Sequence, residues 1–305
     1  MIHLNEEHTS KLITHELAYD AIKNALTAVI SDNATLFPVV NAGGAAPNTV
    51  FSLKAACTDK VVGWKTGSYW PNNASLGRPC HGTTIFLLDP ETGALKAIIE
   101  ASAVNAYRTA AADAVAVDYL ARKDSTTLAI FGTGHQAEYE AMAVCNVRSI
   151  NSVFVVGRSS EKANIFVERL KAKGLNAKAV DAQFACMSAD IIVTATTSNE
   201  PLFRAEWVKP GTHISAMGAD KKGKQELPVE LYSNALLFCD FAKQSVEIGE
   251  LQHTSNSNIT NIGQVINATS TGRTSANDIT IFDSSGIALQ DLFIAEKLLN
   301  IHEGN

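Results

Sequence analysis

The segment Gly132-Thr133-Gly134-His135-Gln136-Ala137 constrains the fold of this chain more than any other feature. It follows an apolar run at 126–131 and precedes a helical pattern that begins at Ala137. In such a turn the first glycine permits a tight bend, and the second lets backbone N–H groups approach a pyrophosphate at the helix N-terminus. A glycine motif alone is weak, but the strand before it and the helix after it make it specific. We therefore predict a Rossmann-type dinucleotide-binding unit over residues 126–198.

Short apolar runs separated by helical or loop stretches continue through the second part of the chain. They lie at 126–131, 152–156, 190–195, 212–217 and 236–239. Alternating β and α elements are typical of an α/β fold with a doubly wound parallel sheet.

The first third has a different pattern. Residues 14–31 have apolar positions at helical spacing, and β-type runs follow at 36–40, 50–56, 61–66, 83–88 and 94–100. This pattern predicts an α+β domain with mostly antiparallel strands. An alanine-rich helix is expected over 102–120 and a C-terminal helix over 287–299. A length of 305 residues favours two domains. We place one at residues 1–117 with 288–305, and the Rossmann domain at 118–287.

Composition excludes several classes of function. A net charge of -6 and a pI of about 5.8 disfavour nucleic-acid binding, which requires clustered cations. The five cysteines are scattered and form no C-x-x-C pair, so neither a disulfide framework nor a metal site is expected. The N-terminus lacks a signal-peptide pattern, and no run of 18 apolar residues occurs. We expect a cytoplasmic protein with no membrane partner.

The end of the second Rossmann strand bears on which dinucleotide is bound. An acid commonly stands there in NAD-binding units, where it accepts hydrogen bonds from the ribose. Here the chain reads Gly157-Arg158-Ser159-Ser160, which has a cation and hydroxyls suited to a 2′-phosphate. NADP(H) is therefore favoured and NAD(H) remains possible. The alternative is that Arg158 is a solvated loop residue.

Four side chains are candidates for the chemistry. Asp220 follows the 212–217 strand and can act as a general acid or base, or as a helix or turn cap. Lys65 lies in a segment rich in glycine and aromatic residues, and Arg108 lies among small helical residues. Either cation can bind a carboxylate, and His81 can donate to one, although an ordinary exposed or structural role is open for all three.

A series of motifs resembles the ornithine cyclodeaminase/μ-crystallin family in order along nearly the whole chain. They are Gly63-Trp64-Lys65, His81-Gly82-Thr83-Thr84, Leu88-Asp89-Pro90-Glu91-Thr92-Gly93, Arg108-Thr109-Ala110-Ala111, the Gly132–Ala137 turn, Gly218-Ala219-Asp220-Lys221-Lys222-Gly223-Lys224-Gln225-Glu226-Leu227 and Phe282-Asp283-Ser284-Ser285-Gly286. The most specific are the Arg-Thr-Ala-Ala and Gly-x-Asp-x-x-Gly-Lys-x-Glu-Leu segments.

The resemblance implies a homodimer whose N-terminal half and C-terminal helix form the substrate-binding and dimerisation domain. It implies that Lys65 and Arg108 hold a substrate α-carboxylate, and that Lys65 and Asp220 are catalytic. The family commonly has a further carboxylate-binding arginine near residues 37–40, but no arginine precedes Arg78 here, so Lys54 is the expected substitute. His81 is a further expected substrate contact.

The expected cofactor contacts follow from the Rossmann turn and from the motifs. They are Thr84, Thr109, Gly132, Thr133, Gly134, His135, Gln136, Gly157, Arg158, Ser159, Lys162, Thr196, Thr197, Met217 and Gly286.

The segment Tyr69-Trp70-Pro71-Asn72-Asn73 resembles the imine-reductase branch of the family, in particular iminosuccinate reductases. The expected activity is therefore NAD(P)H-dependent reduction of an imino carboxylate to an L-amino acid. Iminosuccinate, Δ1-pyrroline-2-carboxylate and related imines are candidate substrates. Two alternatives stay open: an ornithine cyclodeaminase, which converts ornithine to proline and ammonia, and a non-catalytic NADPH- and ligand-binding protein of the μ-crystallin type.

Overall fold

The structure is a computed structural model that describes residues 1–304. Its strands are β1 Ile2–Leu4, β2 Thr35–Leu36, β3 Val40–Gly43, β4 Val50–Cys57, β5 Val62–Tyr69, β6 His81–Leu88, β7 Leu95–Glu100, β8 Thr127–Phe131, β9 Ser152–Val156, β10 Ala177–Ala179, β11 Ile191–Thr194, β12 His213–Ala216, β13 Ala235–Cys239, β14 Ile259–Asn261 and β15 Ile279–Asp283. Its α-helices are α1 Glu6–Leu12, α2 His15–Ala28, α3 Ser102–Leu120, α4 His135–Val147, α5 Ser160–Ala172, α6 Ala182–Ser188, α7 Ala242–Ile248, α8 Ile262–Ile266 and α9 Ala288–Glu303.

The described chain divides into two compact units. The first comprises Met1–Arg108 and the chain from Ile287 onward, and the second comprises Thr109–Gly286. The division falls inside helix α3, nine residues before the boundary that we predicted at residue 117. The unbroken helical pattern of α3 gives no local sign of such a division.

The first unit is built on a seven-stranded sheet. The strand order is β1-β7-β6-β5-β4-β2, with β3 also paired to β4, and within this sheet of the described chain only the β1–β7 pair is parallel. The predicted antiparallel arrangement is therefore confirmed. The run predicted as one strand at 36–40 is instead split into β2 and β3, with Pro38 between them. Proline cannot donate to a β-ladder, which accounts for the interruption.

Helix α9 packs across one face of this sheet. It contacts β4, β5 and β6, and it also packs against α2. The inward face of α2 consists of small and branched apolar residues, among them Ile22 and Leu26, which are fully buried. Lys54 and Lys65 are directly opposite each other on β4 and β5, so their side chains project from the same face of the sheet. The C-terminal helix is thus part of the layer that covers these lysines.

The second unit has an eight-stranded, wholly parallel sheet in the order β10-β9-β8-β11-β12-β15-β13-β14. This confirms the predicted doubly wound fold. From β8 the chain builds the sheet in one direction through β9 and β10, and it then returns to the other side at β11. Strands β8 and β11 therefore flank the topological switch point, where ligands bind outside the carboxyl ends of the strands.

Strand β15 was not predicted. It lies between β12 and β13 in the sheet although it follows both in sequence. Three of its five residues are apolar and the strand is nearly fully buried. No helix in residues 1–304 is both long and apolar enough to cross a membrane.

Candidate active-site residues

The Gly132 turn lies at the switch point of the parallel sheet. Gly132 follows β8 with a φ of +128°, and a Cβ atom there would lie 2.5 Å from the carbonyl oxygen of Ala195, just beyond β11. Only glycine fits this approach. Gly134 caps the 13-residue helix α4 without a side-chain hydrogen bond, and a Cβ atom there would meet nothing within 4 Å. The helix N-terminus is therefore open to an anion, as a pyrophosphate requires.

The next turn along the sheet packs against the first. A Cβ atom on Gly157 would lie 2.8 Å from Cγ2 of Thr133, so glycine is required here for close packing. Arg158 is exposed after the end of β9. Ser159 caps helix α5, and its hydroxyl accepts from the backbone N–H of Lys162 at 3.4 Å. The structure thus places Arg158 and Lys162, both exposed, with Ser159 at the end of the second strand.

A buried carboxylate holds the loops after β11 and β12. One oxygen of Glu226 accepts from the backbone N–H and the hydroxyl of Thr196, each at 2.7 Å. The other accepts from the Thr194 hydroxyl at 2.7 Å and from the backbone N–H of Gly218 at 2.9 Å. We did not predict this role, although Glu226 lies in the most specific motif of the chain. Of the predicted cofactor contacts in these loops, Thr197 is exposed, and Met217 is buried.

Three further acids are fully buried below the neighbouring strand ends. Glu250 accepts from the backbone N–H groups of Glu226 and Leu227, and burial raises its pKa to about 7. Asp283 accepts from the Ser245 hydroxyl, and burial, followed by repulsion from Asp240, raises its pKa to about 8.

The third of these acids holds the loop after β15. Asp240 accepts from the Ser285 hydroxyl at 2.9 Å and from the backbone N–H of Gly286 at 2.7 Å. Gly286 has a φ of +74°, which favours glycine. This predicted cofactor residue is therefore held at a strand end of the parallel sheet.

Asp220 lies on the surface of the second unit. Its carboxylate is 60% exposed and is paired with Nζ of Lys224 at 2.7 Å. The same ammonium donates to the Gly218 carbonyl at 2.8 Å. Asp220 therefore follows a strand end, as predicted, and Lys224 is a partner that the sequence pattern did not reveal.

The first unit contains a buried charge cluster, formed by Lys65, Arg108, Asn105 and Asp291. Nζ of Lys65 lies 3.0 Å from Oδ1 of Asp291, and Nε of Arg108 lies 3.2 Å from the same oxygen. Lys65 and Arg108 both also donate to Oδ1 of Asn105, at 2.7 and 2.9 Å. The structure thus brings together two predicted carboxylate-binding cations from distant elements, and it adds Asp291 and Asn105, which sequence reasoning missed.

The charges in this cluster perturb one another. Burial is the main cause that lowers the pKa of Lys65 to about 7, and the positive charges of Arg108 and Lys54 lower it further. Burial alone would raise the pKa of Asp291, but Lys65 and Arg108 hold it below its usual range. Asp291 is therefore an anion, and Lys65 can gain or lose a proton near neutral pH.

Helix α3 is fixed at its start by a remote carboxylate. Glu6 accepts from the backbone N–H groups of Ser102 and Ala103 at 2.8 and 2.7 Å. A negative charge at a helix N-terminus is stabilising. Because Asn105 and Arg108 are three residues apart on α3, they lie on one side of the helix, and Glu6 thus helps to place both.

The remaining candidates His81, Thr84 and Thr109 are not among the residues that form the charge cluster. His81 projects from the same sheet face as Lys65 but pairs with Tyr69, four positions along β5, with the two rings 4.7 Å apart. Thr84 projects from the opposite face, because it pairs with Thr66. Thr109 follows Arg108 on α3 and belongs to the second unit.

Comparisons with known proteins show which family this chain is similar to. The model of the ornithine cyclodeaminase/mu-crystallin family matches residues 4–303. The iminosuccinate reductase of Paracoccus denitrificans is 35% identical and covers 100% of this chain and 98% of its own length. Its crystal structure in complex with NAD+ has a TM-score of 0.94, with 36% identity over 100% of this chain and 97% of that one.

Two further solved structures cover the whole of this chain. An archaeal alanine dehydrogenase dimer with bound NAD has a TM-score of 0.92, 31% identity and 97% coverage of its own chain. The Δ1-pyrroline-2-carboxylate reductase of Thermococcus litoralis, in complex with NADH and L-proline, has a TM-score of 0.90, 28% identity and 98% coverage of its own chain.

Proposed function

We propose, from the premise that this chain belongs to the ornithine cyclodeaminase/μ-crystallin family, that it is an imine reductase. It is an oxidoreductase that acts on C–N bonds with a nicotinamide dinucleotide and converts an α-imino carboxylate to an L-amino acid. Iminosuccinate and Δ1-pyrroline-2-carboxylate are the substrates indicated by the relatives.

The observation that carries this proposal is the sharing of one carboxylate by two buried cations. Lys65 and Arg108 are 6% and 8% exposed, and both contact the same oxygen of Asp291. An uncompensated buried charge is costly, whereas an ion pair with good hydrogen bonds is tolerated. A substrate carboxylate supplies the missing negative charge, so the cluster is suited to an α-imino acid.

The reaction adds a hydride to the imine carbon and a proton to the imine nitrogen. A bound reduced nicotinamide supplies the hydride. Arg108 holds the carboxylate, since a guanidinium stays charged at all relevant pH values. Lys65 has two roles: its ammonium binds the substrate carboxylate, and it donates the proton to the imine nitrogen. Its pKa, lowered to about 7, makes the ammonium a sufficiently strong acid near neutral pH. Asp220, with Lys224, is the second group proposed to handle a proton.

The dinucleotide is held by the second unit. Gly132 and Gly134 accommodate the pyrophosphate at the N-terminus of α4, and the loops that Glu226 holds after β11 and β12 line the crevice. The exposed Arg158 supports acceptance of NADPH, while NAD or NADH is the cofactor named for the three relatives. We therefore propose that NADP(H) is accepted and that Arg158 sets its preference over NAD(H).

A second copy of this chain is the proposed partner. The first unit exposes apolar side chains at and beside strands β2 to β4, namely Phe37, Val40, Val50 and Phe51, which are 43% to 54% exposed. Patches of this kind on soluble proteins often mark interfaces, and the archaeal alanine dehydrogenase is a dimer. Light scattering on Phe51→Asp should give the mass of a monomer, with the wild type at twice that mass; equal masses would refute the dimer through this face.

One assay tests the activity. The purified protein is mixed with NADH or NADPH and with either oxaloacetate plus ammonia, which generate iminosuccinate, or Δ1-pyrroline-2-carboxylate. Loss of nicotinamide absorbance and formation of L-aspartate or L-proline are expected. Ornithine without added cofactor is the second arm, and rapid release of proline and ammonia would indicate a cyclodeaminase instead. No turnover in any arm would favour a binding protein.

A further inference from the structure

Gln290 is a fully buried amide in the first turn of α9, beside the carboxylate-binding cations. Its Oε1 accepts from Nη1 of Arg108 at 3.3 Å, and the residue is 0% exposed. The amide orientation follows from this contact, since the opposite orientation would direct an NH2 group at the guanidinium. Nε2 of Gln290 is therefore the amide atom that Arg108 does not engage.

This amide nitrogen has no acceptor in the described part of the chain. Nε2 is buried without a hydrogen-bond partner among residues 1–304. Leaving a buried donor unsatisfied costs about 1–3 kcal/mol, so such a group in a native protein requires an explanation. Oδ2 of Asp291 is also buried without a partner, so the two atoms do not satisfy each other.

The surroundings indicate what the acceptor is. Arg108 contacts both Gln290 and Asp291, and Asp291 contacts Lys65. The amide of Gln290 therefore adjoins a cluster with two cations and only one anion. An incoming carboxylate has two oxygens and about four acceptor positions. Lys65 and Arg108 need not use all of them, and an amide N–H can take one.

We infer that Gln290 is a substrate-contacting residue whose Nε2 donates a hydrogen bond to the α-carboxylate. The inference rests on the proposed function for the identity of the ligand. It assigns Gln290 two tasks: Oε1 steadies Arg108, and Nε2 contacts the substrate. Specificity for α-carboxylates over simple imines thus depends partly on α9.

The variant Gln290→Glu separates the two tasks. A carboxylate of the same shape keeps an acceptor for Arg108, but it replaces the donor with a negative oxygen that repels the substrate. The KM for Δ1-pyrroline-2-carboxylate should rise at least about tenfold, in line with loss of a hydrogen bond to a charged group. The Kd for NADH should stay within about twofold of the wild type, and kcat/KM for Δ1-pyrroline, which lacks the carboxylate, should fall by less than kcat/KM for Δ1-pyrroline-2-carboxylate. Gln183→Glu, an exposed glutamine of α6, is the charge-matched control.

A KM for the carboxylate substrate within twofold of the wild type, in a folded Gln290→Glu protein, would overturn the inference and leave Gln290 as a support for Arg108 only. Should that variant not fold, a crystal structure of the wild type with L-proline decides: Nε2 must lie within about 3.2 Å of a ligand carboxylate oxygen. A longer separation refutes the contact. A wild type that reduces neither iminosuccinate nor Δ1-pyrroline-2-carboxylate refutes the proposed function, and the crystal structure then still tests Gln290 by itself.

Discussion

The two units differ in how they bury ionisable side chains. The first buries two cations against a single carboxylate, Asp291, with Lys54 nearby on the same sheet face. The second buries several acids, among them Glu226, Asp240, Glu250 and Asp283, for which backbone N–H groups and hydroxyls are the principal donors.

This difference indicates that the buried cations of the first unit bind an anion, whereas the buried acids of the second unit position backbone segments. A cation whose only carboxylate is shared retains capacity for another anion, whereas a carboxylate such as Glu226, whose two oxygens each accept two hydrogen bonds, is already satisfied. We therefore expect substitutions in the first unit to change substrate kinetics, and substitutions of the buried acids to change cofactor affinity and stability. The following predictions test this contrast in order of decreasing effect.

Replacing Lys65 with methionine should have the largest effect. It removes a cation that contacts the substrate, and disruption of a buried charge pair of this kind costs about 2–5 kcal/mol, which corresponds to a loss of about 30- to 5000-fold in kcat/KM. The Kd for NADH should be unchanged in a fluorescence titration. The matched control is Lys60→Met, an exposed lysine of the same unit. If Lys65→Met lost as much NADH affinity as kcat/KM, the assignment of substrate binding to the first unit and cofactor binding to the second would be wrong.

The pH profile should show the ionisation of Lys65 directly. Because the lowered pKa is about 7, the ammonium loses its proton above that pH, and both the charge and the transferable proton are lost. Log kcat/KM should therefore fall by up to about one per pH unit above pH 7. In Lys65→Arg this alkaline limb should shift by several pH units, since arginine stays charged. If both proteins had the same alkaline limb, the ionisation that causes it would belong to the substrate and not to Lys65.

Replacing Glu226 with glutamine should affect the cofactor. Each carboxylate oxygen of Glu226 accepts from two donors. In glutamine one of these oxygens becomes an NH2 group, which cannot accept from the donors that face it. Each buried donor left without an acceptor costs about 1–3 kcal/mol. One or two such donors should raise the Kd for NADH about tenfold and lower the Tm. Glu230→Gln, on the surface nearby, is the control. A changed KM for the imine with normal NADH binding would contradict the positioning role.

The smallest effect is expected from Arg158→Ala. An exposed cation contributes about 1 kcal/mol or less, so the ratio of kcat/KM with NADPH to that with NADH should fall about two- to fivefold. Added salt should reduce this difference. Arg204→Ala, another exposed arginine of the same unit, should leave the ratio unchanged. An unchanged ratio in Arg158→Ala would remove the physical basis for the proposed NADP(H) preference.

Local sequence pattern predicted much of the fold. The strand at 152–156 and the helix at 102–120 agree with β9 and α3 residue for residue, because apolar periodicity and alanine content act over a few neighbouring residues. Strand β15 was missed because its formation depends on pairing with distant strands and not on a local pattern. It is a five-residue run between loops, and its pairing partners β12 and β13 are distant in sequence.

The candidate residues divide in the same way. Lys65 and Arg108 could be named from the sequence because their motifs are specific. Asp291 could not, since it lies 226 positions from Lys65 and looks like an ordinary acid in the first turn of a helix. Glu226 stood within a recognised motif, but nothing in the order of residues showed that its carboxylate holds two strand ends.

By itself, the sequence determined where many of the strands and helices lie, that a dinucleotide turn begins at Gly132, and which cations can meet a carboxylate. These properties depend on backbone preferences and side-chain chemistry, which each residue carries with it. Only the tertiary structure decided that Lys65 and Arg108 share one oxygen of Asp291, that Gln290 keeps a donor unused, and that the buried Glu226 and Asp240 hold segments that follow strand ends. Those facts depend on desolvation and on contacts between distant elements, which arise only when the chain is packed.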